Sequence, residues 1–304
     1  MKIKISYRVK GVLMNISLFL QARPNIILFK HAPLEFSNSY LRLMGKLYYI
    51  INRKERDLIE KNIKTVFKNN EDASEIIKKV FDGIFSHYSE KLIMAYRNLG
   101  RLKEEIGGIL EYSGLEHLEN ACKNGGVILV TGHFGAVEYM PLALYLRNYP
   151  VTMTVSFQTK RLKKSLMKRA EEGDVELIDC HKDNVIQRVL DALKRGRILL
   201  TECDEVDAWR THKDRTIRAF GGEIKLDRSL GILCRRTGAT VLGSFMVRTD
   251  KGYKMTIIPI IDNSNFTTSN QAEEILKTFE KFVMKFPDQW YQWKKLHKMR
   301  PEVV

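Results

Sequence analysis

The stretch Val127-Ile-Leu-Val-Thr131-Gly-His-Phe-Gly-Ala-Val-Glu138 decides the fold. Its first five residues are apolar or β-branched and follow two glycines, which is typical of a buried β-strand. A short loop comes next, and a helix is predicted from about Val137 to Leu146. A buried strand, a loop and a helix in this order begin a βα unit. In open α/β sheets, active sites lie in the loops that follow the strands.

The same alternation of strand and helix continues along the chain. Short apolar runs predict strands over residues 151–157, 175–178, 197–201, 240–247 and 253–260, and amphipathic segments predict helices over residues 160–170, 184–194, 226–236 and 272–286. The stretch from Thr201 to Lys225 is polar and carries neither pattern. Strands that alternate with helices form βαβ units, so the chain is predicted to be α/β, with a mainly parallel central sheet flanked by helices.

The first 120 residues have helical periodicity instead. Apolar residues recur at helical spacing in Asn38–Ile51, Arg56–Phe67 and Ala73–Tyr96. No linker separates this part from the rest. We therefore expect a helical N-terminal region, residues 1–120, packed on an α/β core, residues 121–304. The basic charge and the early apolar stretch described below add the expectation that this N-terminal region is membrane-associated.

Composition describes a basic globular protein. The 304 residues are 44% hydrophobic and 29% charged, which argues against disorder and allows a sizeable core. Lys and Arg number 51 against 36 Asp and Glu, a net charge of +15. Such a charge suits nucleic acid, an anionic membrane surface or an acidic protein partner. No RNA-binding or zinc-finger pattern occurs, so no nucleic-acid partner is expected.

Cysteine spacing and hydropathy limit the remaining classes. The longest early apolar stretch, Gly11 to Ala22, is interrupted by Arg23 and Pro24, which is too short for a spanning helix. An interfacial helix or a buried hairpin is expected there. The four cysteines lie far apart without a CxxC pair, which favours reduced thiols over a disulfide or a zinc site: Cys122, Cys180, Cys203 and Cys234.

His133 and Glu138 are the residues of the opening stretch that carry acid–base chemistry. Glu138 follows His133 by five positions, so its carboxylate can turn back and accept a hydrogen bond from one imidazole nitrogen. The other nitrogen is then basic, and suits removal of a proton from an alcohol that attacks a carbonyl. The alternative is structural, with the His capping the helix and the Glu favoured by the helix dipole. The spacing alone leaves both open.

Several motifs in order resemble the lipid A biosynthesis acyltransferases, the lauroyl and myristoyl transferases whose motif is a His, four residues, then Asp or Glu. Thr131-Gly-His-Phe-Gly-Ala-Val-Glu138 is similar to the family's T-G-H-F-G-N-W-E. Phe220-Gly221 and Thr237-Gly-Ala239 resemble its F-G and T-G-A pair. Phe286-Pro-Asp-Gln-Trp-Tyr-Gln-Trp293 resembles its terminal P-x-Q-W-x-W, so the resemblance covers about residues 35–301.

The resemblance implies a glycerolipid acyltransferase-like fold and a membrane-associated acyltransferase. The donor would be an acyl-carrier protein or acyl-coenzyme A thioester, and the acceptor a hydroxyl of a membrane lipid or glycolipid such as a lipid A precursor. His133 and Glu138 would be the catalytic general-base dyad, and Arg169, Asp204 and Gly221 would bind substrate. No cofactor and no metal are implied. The enzyme would sit on an anionic membrane surface, peripheral or monotopic, at the cytoplasmic face of the cell inner membrane.

Two of these assignments have plain alternatives. Arg169 resembles a family Arg that could bind a donor phosphate or steady the oxyanion, but it also ends the basic helix Lys160–Arg169, which can be a solvated or membrane-facing surface. Asp204 falls at the end of a predicted core strand, where it could equally cap the next loop. Charged residues over Glu223–Ser229 replace the small polar ones of the family, which leaves the acceptor open.

A hypothesis from another functional class requires neither His133 nor Glu138. A non-catalytic basic protein that binds anionic membrane or nucleic acid would also explain the +15 charge. The aromatic residues Trp290, Tyr291 and Trp293 beside lysines suit a membrane interface. They can equally pack the C-terminal segment onto the core.

Overall fold

The computed structural model describes residues 20–67, 73–157, 159–260 and 271–301. Most of the expected interfacial stretch from Gly11 to Ala22 therefore lies outside the described residues. The helices are α1 Arg23–His31, α2 Leu34–Ile51, α3 Arg53–Phe67, α4 Ala73–Tyr96, α5 Leu99–Gly107, α6 Leu115–Lys123, α7 Met140–Tyr145, α8 Lys160–Glu172, α9 Val185–Lys194, α10 Ser229–Thr237, α11 Gln271–Lys285 and α12 Leu296–Met299. Across the described ranges, no helix is both long enough and apolar enough to cross a membrane.

A seven-stranded sheet forms the centre of the protein, in the order β1-β9-β8-β2-β5-β3-β4. The strands, including those of a separate hairpin, are β1 Leu110–Ser113, β2 Val127–Thr131, β3 Val151–Val155, β4 Val175–Asp179, β5 Ile198–Glu202, β6 Thr211–Ala219, β7 Gly222–Asp227, β8 Thr240–Thr249 and β9 Gly252–Pro259. Every pair in the sheet is parallel except β8 with β9. The predicted α/β class and mainly parallel sheet are confirmed.

Strand β2 is covered on both faces, which explains its continuous apolar sequence. All five of its residues are buried. Val127 and Leu129 pack into the larger hydrophobic cluster with the N-terminal helices, whereas Ile128 and Val130 pack into a second cluster on the opposite face. Each fully buried side chain of this size contributes about 1.5–3 kcal/mol. The strand that opens the βα unit is thus the centre of the core.

Two features differ from the sequence expectations. Strand β1 lies inside the region expected to be helical and pairs in parallel with β9, Leu110 opposite Tyr253. Its four residues are too few to show a period. The polar stretch before residue 225 forms the antiparallel hairpin β6–β7. Phe220 and Gly221 make its turn with φ of 49° and 72°, a pair of left-handed residues that suits a tight hairpin.

Three N-terminal helices, α1, α2 and α3, pack against the long helix α4. Gly45 of α2 lies against the ring of Phe85, where an added Cβ would sit 2.9 Å from that ring. The rings of Tyr48 and Phe85 lie 5.5 Å apart, and those of Tyr49 and Phe81 lie 4.9 Å apart. A small residue flanked by aromatic pairs therefore fixes α2 onto one face of α4.

The loop after β2 is held by backbone contacts on both sides. The N–H of Gly135 donates to the carbonyl of Gln289 at 2.8 Å, and that of Ala136 to the carbonyl of Met246 at 2.9 Å. Gly135 has φ of 56°, and a Cβ there would overlap the Met246 carbonyl oxygen. The conformation of this loop therefore requires glycine.

We predict that Gly135→Ala destabilises the protein more than Gly238→Ala does. Gly238 also has a left-handed φ, of 64°, but a Cβ there meets nothing within 4 Å. The strain of the left-handed backbone alone costs about 1–2 kcal/mol, and Gly135→Ala adds an overlap with backbone, for a total of at least about 3 kcal/mol. Denaturant unfolding of the two variants gives the comparison. Equal losses would show that the loop can relax away from Met246.

Candidate active site

The carboxyl ends of β2 and β5 meet at one edge of the sheet. Thr131 at the end of β2 lies opposite Glu202 at the end of β5. The residues two positions further on, His133 and Asp204, therefore emerge side by side from neighbouring strands. This register brings together two residues that are 71 positions apart in sequence.

A buried carboxylate fixes the imidazole of His133. Oδ1 of Asp204 lies 2.9 Å from Nδ1 of His133, and the His133 backbone N–H donates to both carboxylate oxygens at 3.0 Å. Trp290 donates its indole N–H to Oδ2 at 2.8 Å. Burial alone would raise the pKa of Asp204, but His133 and these hydrogen bonds lower it. Asp204 is therefore ionised and keeps the proton of a neutral His133 on Nδ1.

Two more carboxylates face the other imidazole nitrogen. Nε2 of His133 lies 3.3 Å from Oε2 of Glu202 and 3.6 Å from Oε2 of Glu205. Side-chain exposure increases from 0% at Asp204 through 15% at His133 to 29% at Glu202 and 37% at Glu205. The open side of the site is therefore the side of Nε2, where a substrate can reach it.

The carboxylates determine the charge of His133. Burial alone would lower its pKa, but Glu202, Asp204 and Glu205 together raise it to about 9. Burial raises the pKa of Glu202, and the negative charges of Asp204 and Glu138 raise it further, against the lowering by His133. In the free protein at neutral pH, the imidazole is thus mostly charged. A strongly basic Nε2 favours the step in which it accepts a proton.

Glu138 does not bind His133, contrary to the expected dyad geometry. Its Oε1 lies 3.2 Å from Nζ of Lys91 and 3.4 Å from Nε2 of His87, both on α4. The glycine turn at residue 135 delays the start of α7 to Met140, and Glu138 falls in a 3₁₀ turn, Val137–Tyr139, that faces α4. The hydrogen bond expected from Glu138 is made by Asp204.

Tyr291 connects the two histidines. Its ring stacks on His87 with centroids 3.8 Å apart and meets His133 edge-on at 5.4 Å. Burial holds the pKa of His87 well below its usual range, and the cations Lys91, His133 and Arg248 lower it further. Glu138 raises the pKa of Lys91. Glu138 and Lys91 are thus a charged pair beside a neutral His87, separated from His133 by an aromatic ring.

Arg169 has structural contacts. Its guanidinium donates to the carbonyl of Met94 at 3.1 Å and to that of Arg97, at the C-terminal end of α4, and also pairs with Glu172. Carbonyls at a helix end need such donors. Burial lowers the pKa of Arg169. None of the contacts described for Arg169 reaches His133.

Gly221 also lies in a packed turn. A Cβ there would sit 3.1 Å from the carbonyl oxygen of Thr65 and 3.2 Å from Cα of Val66, both in α3. The positive φ and the close backbone explain this glycine without a ligand. The substrate-binding roles that the resemblance gives to Arg169 and Gly221 stay predictions.

The terminal aromatic motif belongs to the core. Trp290 and Trp293 are fully buried, which confirms the packing interpretation over membrane exposure. The rings of Trp290 and Phe220 lie 5.1 Å apart, which joins the motif to the β6–β7 turn. Sequence analysis missed the roles of this segment and of α4 in the site. Both reach the loop after β2 only through contacts between residues that are far apart in the sequence. Glu202 and Glu205 had a signal, since they flank Asp204 at the end of a predicted strand.

Three residues of the site have ligand atoms close enough together to bind one metal cation. Nε2 of His133 and one carboxylate oxygen each of Glu202 and Glu205 lie within 4.8 Å of one another. Imidazole and carboxylate are ligands that a divalent transition metal accepts. Such an ion would occupy the Nε2 lone pair that base catalysis requires.

Comparison with known proteins establishes the class of enzyme to which the chain belongs. The model of a family described as bacterial lipid A biosynthesis acyltransferase matches residues 25–299, nearly the whole chain. The protein is therefore an acyltransferase, and the alternative of a non-catalytic binder is set aside. More particularly, the chain belongs to the bacterial lipid A biosynthesis acyltransferase family. No curated protein matches the chain.

We predict that Glu202→Gln lowers the pKa of His133 from about 9, because it removes one of the charges that favour the imidazolium. An NMR titration of the His133 Cε1–H in the full chain measures this shift. Glu172→Gln is the control, since that carboxylate pairs with Arg169 on α8 and should leave the His133 titration unchanged. An unshifted midpoint in Glu202→Gln would show that Glu202 does not act on His133.

Proposed function

We propose that this acyltransferase moves a fatty acyl group from a thioester of acyl-carrier protein or coenzyme A to a hydroxyl of a lipid or glycolipid acceptor such as a lipid A precursor. His133 is the general base, and Asp204 is the positioning residue that orients it. The observation that carries this proposal is the two-sided environment of the imidazole. Nδ1 is bound to a buried carboxylate at 2.9 Å, while Nε2 faces the open side of the site.

The reaction needs one proton acceptor and no protein nucleophile. Neutral His133 accepts the proton of the acceptor hydroxyl on Nε2 as the oxygen attacks the thioester carbonyl carbon. The tetrahedral intermediate collapses when the carbon–sulfur bond breaks. The imidazolium then returns the proton to the leaving thiolate, so the base is regenerated. Asp204 stabilises the imidazolium during the reaction and keeps Nδ1 protonated before and after it.

Glu138 acts at a distance from Nε2 in this proposal. Its pairing with Lys91 and His87 supports Tyr291, which lies between His87 and His133. Removing its charge leaves Lys91 as an unpaired cation near the imidazole and disturbs the ring stack. Glu138 is thus kept as a residue the reaction depends on, although it does not hydrogen-bond to the base.

The basic surface of α8 suits an acidic donor protein. Acyl-carrier proteins are acidic, and electrostatic docking speeds the encounter of oppositely charged partners. Lys160 and Lys164 are exposed on α8, whereas Lys163 pairs with Asp179. Helix α8 follows β3, the strand next to β5 in the sheet. We place the donor protein on this helix.

The acceptor is a membrane lipid, so the enzyme acts at a membrane. We place it on the cytoplasmic face of the cell inner membrane, attached as a peripheral or monotopic protein through the helical region of residues 1–120. The cations of that region and the net charge of +15 support attachment to an anionic leaflet.

We predict that His133→Ala lowers kcat/KM of acyl transfer by at least about 10³-fold, because the general base is lost. Asp204→Asn should cost on the order of 10²-fold or more, because the Nδ1 partner changes from a charged to a neutral group. Glu138→Gln, the same chemical change at the other carboxylate, should cost less, on the order of tenfold. Rates with purified full chain, acyl-carrier-protein donor and lipid A precursor test the ranking.

The pH profile of kcat/KM tests whether the protonation of His133 controls the reaction. In the wild type, kcat/KM should rise with pH up to about 9, where His133 becomes neutral, and Glu202→Gln should move this limb to lower pH. Lipid mass spectrometry of cells with and without the gene identifies the acceptor by its added acyl chain. Near-normal transfer by His133→Ala would refute the base assignment.

We predict that Lys160→Glu with Lys164→Glu raises KM for acyl-carrier-protein donor several-fold and leaves kcat nearly unchanged. The reversed charges repel the acidic carrier before the chemical step. Lys123→Glu with Lys194→Glu is the matched control, since these exposed lysines precede β2 and β5 at the opposite edge of the sheet. An equal KM increase in the control would mean that total charge, not α8, attracts the carrier. A preference for acyl-coenzyme A that survives the reversal would refute the carrier-protein donor.

A further inference from the structure

Exposed apolar side chains concentrate on one part of the surface. The described residues hold seven large apolar side chains that are exposed, and six of them lie on α1 and α2. The seventh, Met284, lies on α11. The six are Ile27, Phe36, Leu43, Leu47, Ile50 and Ile51, with exposed fractions between 45% and 66%.

Four of these side chains form one face of α2. At 100° per residue, Phe36, Leu43, Leu47 and Ile50 project within an arc of about 60°. We call these four residues the outer face of α2. The inner face carries Gly45 and Tyr48, which pack on Phe85 of α4. The helix is therefore apolar on both sides, and only the inner side is covered by described residues.

The outer face is surrounded by positive charge. Between residues 23 and 54 a single carboxylate, Glu35, is exposed, against six exposed cations: Arg23, Lys30, Arg42, Lys46, Arg53 and Lys54. On α2 itself, Lys46 and Arg42 lie about 40° and 80° beyond the edge of the apolar arc, along one flank. An apolar stripe with cations at its edge is typical of helices that lie in the plane of an anionic membrane.

We propose that the outer face of α2 docks into an anionic membrane surface, with Leu43, Leu47 and Ile50 in the boundary between head groups and acyl chains. This rests on the membrane attachment proposed above and names the surface that makes it. A second copy of the chain is a poor occupant, because an isologous contact would bring the same six cations together. The sequence of residues 1–19 carries four cations and no carboxylate, so it offers no charge that complements these cations.

The docked orientation sets the distance between the active site and the hydrocarbon layer of the membrane. On α4, His87 and Lys91 lie about 200–240° round the helix from Phe85, so they project on the side away from α2. That side contacts Glu138 and Tyr291 of the site. The site is thus separated from the docking face by α2 and α4, about two helix diameters or ~20 Å. The reacting hydroxyl would then belong to a part of the lipid that extends beyond the hydrocarbon layer.

Co-sedimentation with vesicles tests the docking face. The full chain is mixed with phosphatidylcholine vesicles that contain or lack phosphatidylglycerol. The triple variant Leu43→Ser, Leu47→Ser, Ile50→Ser should bind the anionic vesicles at least about tenfold more weakly than the wild type, because three inserted apolar groups are lost. Met284→Ser, the matched exposed site on α11, should stay within about twofold. All substituted side chains are exposed, so circular dichroism should be unchanged.

Each outcome bears on a different statement. Wild-type-like binding by the triple variant would overturn the docking face, while membrane attachment would stand. Failure of the wild type to bind anionic vesicles would overturn both. If light scattering showed that the wild type self-associates through this face and the triple variant does not, with equal vesicle binding, the occupant would be a second copy and the proposal wrong.

The rate of acyl transfer in detergent should remain within about twofold of the wild-type rate in the triple variant. An inactive wild type that docks through α2 would refute the proposed reaction alone.

Discussion

The carboxylate of Asp204 joins three distant parts of the chain. It accepts hydrogen bonds from the backbone and ring of His133 after β2 and from the indole of Trp290 after α11, and it is itself held at the end of β5. An ionised carboxylate without partners in this position would cost several kcal/mol. The same three donors that satisfy it also set the position of the imidazole. Order in the site and stability of the surrounding core therefore depend on one buried charge.

A second buried ion pair holds the loop that carries His133. Glu90 of α4 forms a two-pronged ion pair with Arg248 of β8, at 2.6 and 2.8 Å, and Arg248 also donates to the carbonyl of Gly135. The pKa of Arg248 is raised by Glu90 against the effect of burial. Helix α4, strand β8 and the His133 loop are thus bound together through one guanidinium. The two bonds to Glu90 fix the guanidinium, which in turn holds the Gly135 carbonyl of the loop.

Sequence periodicity was a reliable guide to the sheet and to the loop that carries His133. The strand at 127–131 and the helices that alternate with later strands are long enough to show their periods, and the end of β5 placed Asp204 near the site. The partner of His133 could not be chosen in the same way. Spacing favours a local carboxylate, Glu138, but the register of β2 with β5 and the glycine turn at residue 135 reverse that preference. Register is a tertiary property that local spacing does not encode. Strand β1 was missed because its pairing with β9 defines it. The β6–β7 hairpin was missed because its turn defines it, and neither element shows a hydrophobic period.

The position of Trp290 late in the sequence has a consequence for the order in which the enzyme becomes competent. A polypeptide cut or terminated just after α11 would contain every strand of the sheet, the His133 loop and all the carboxylates of the site. It would lack the indole donor to Asp204 and the Tyr291 ring between the two histidines. Such a fragment would have the same sheet and helices as the full chain. Its Asp204 carboxylate would lack one hydrogen-bond donor, and its His133 ring would lack the contact that fixes it on one side. During synthesis, activity would therefore switch on only after residues 286–293 had left the ribosome and docked.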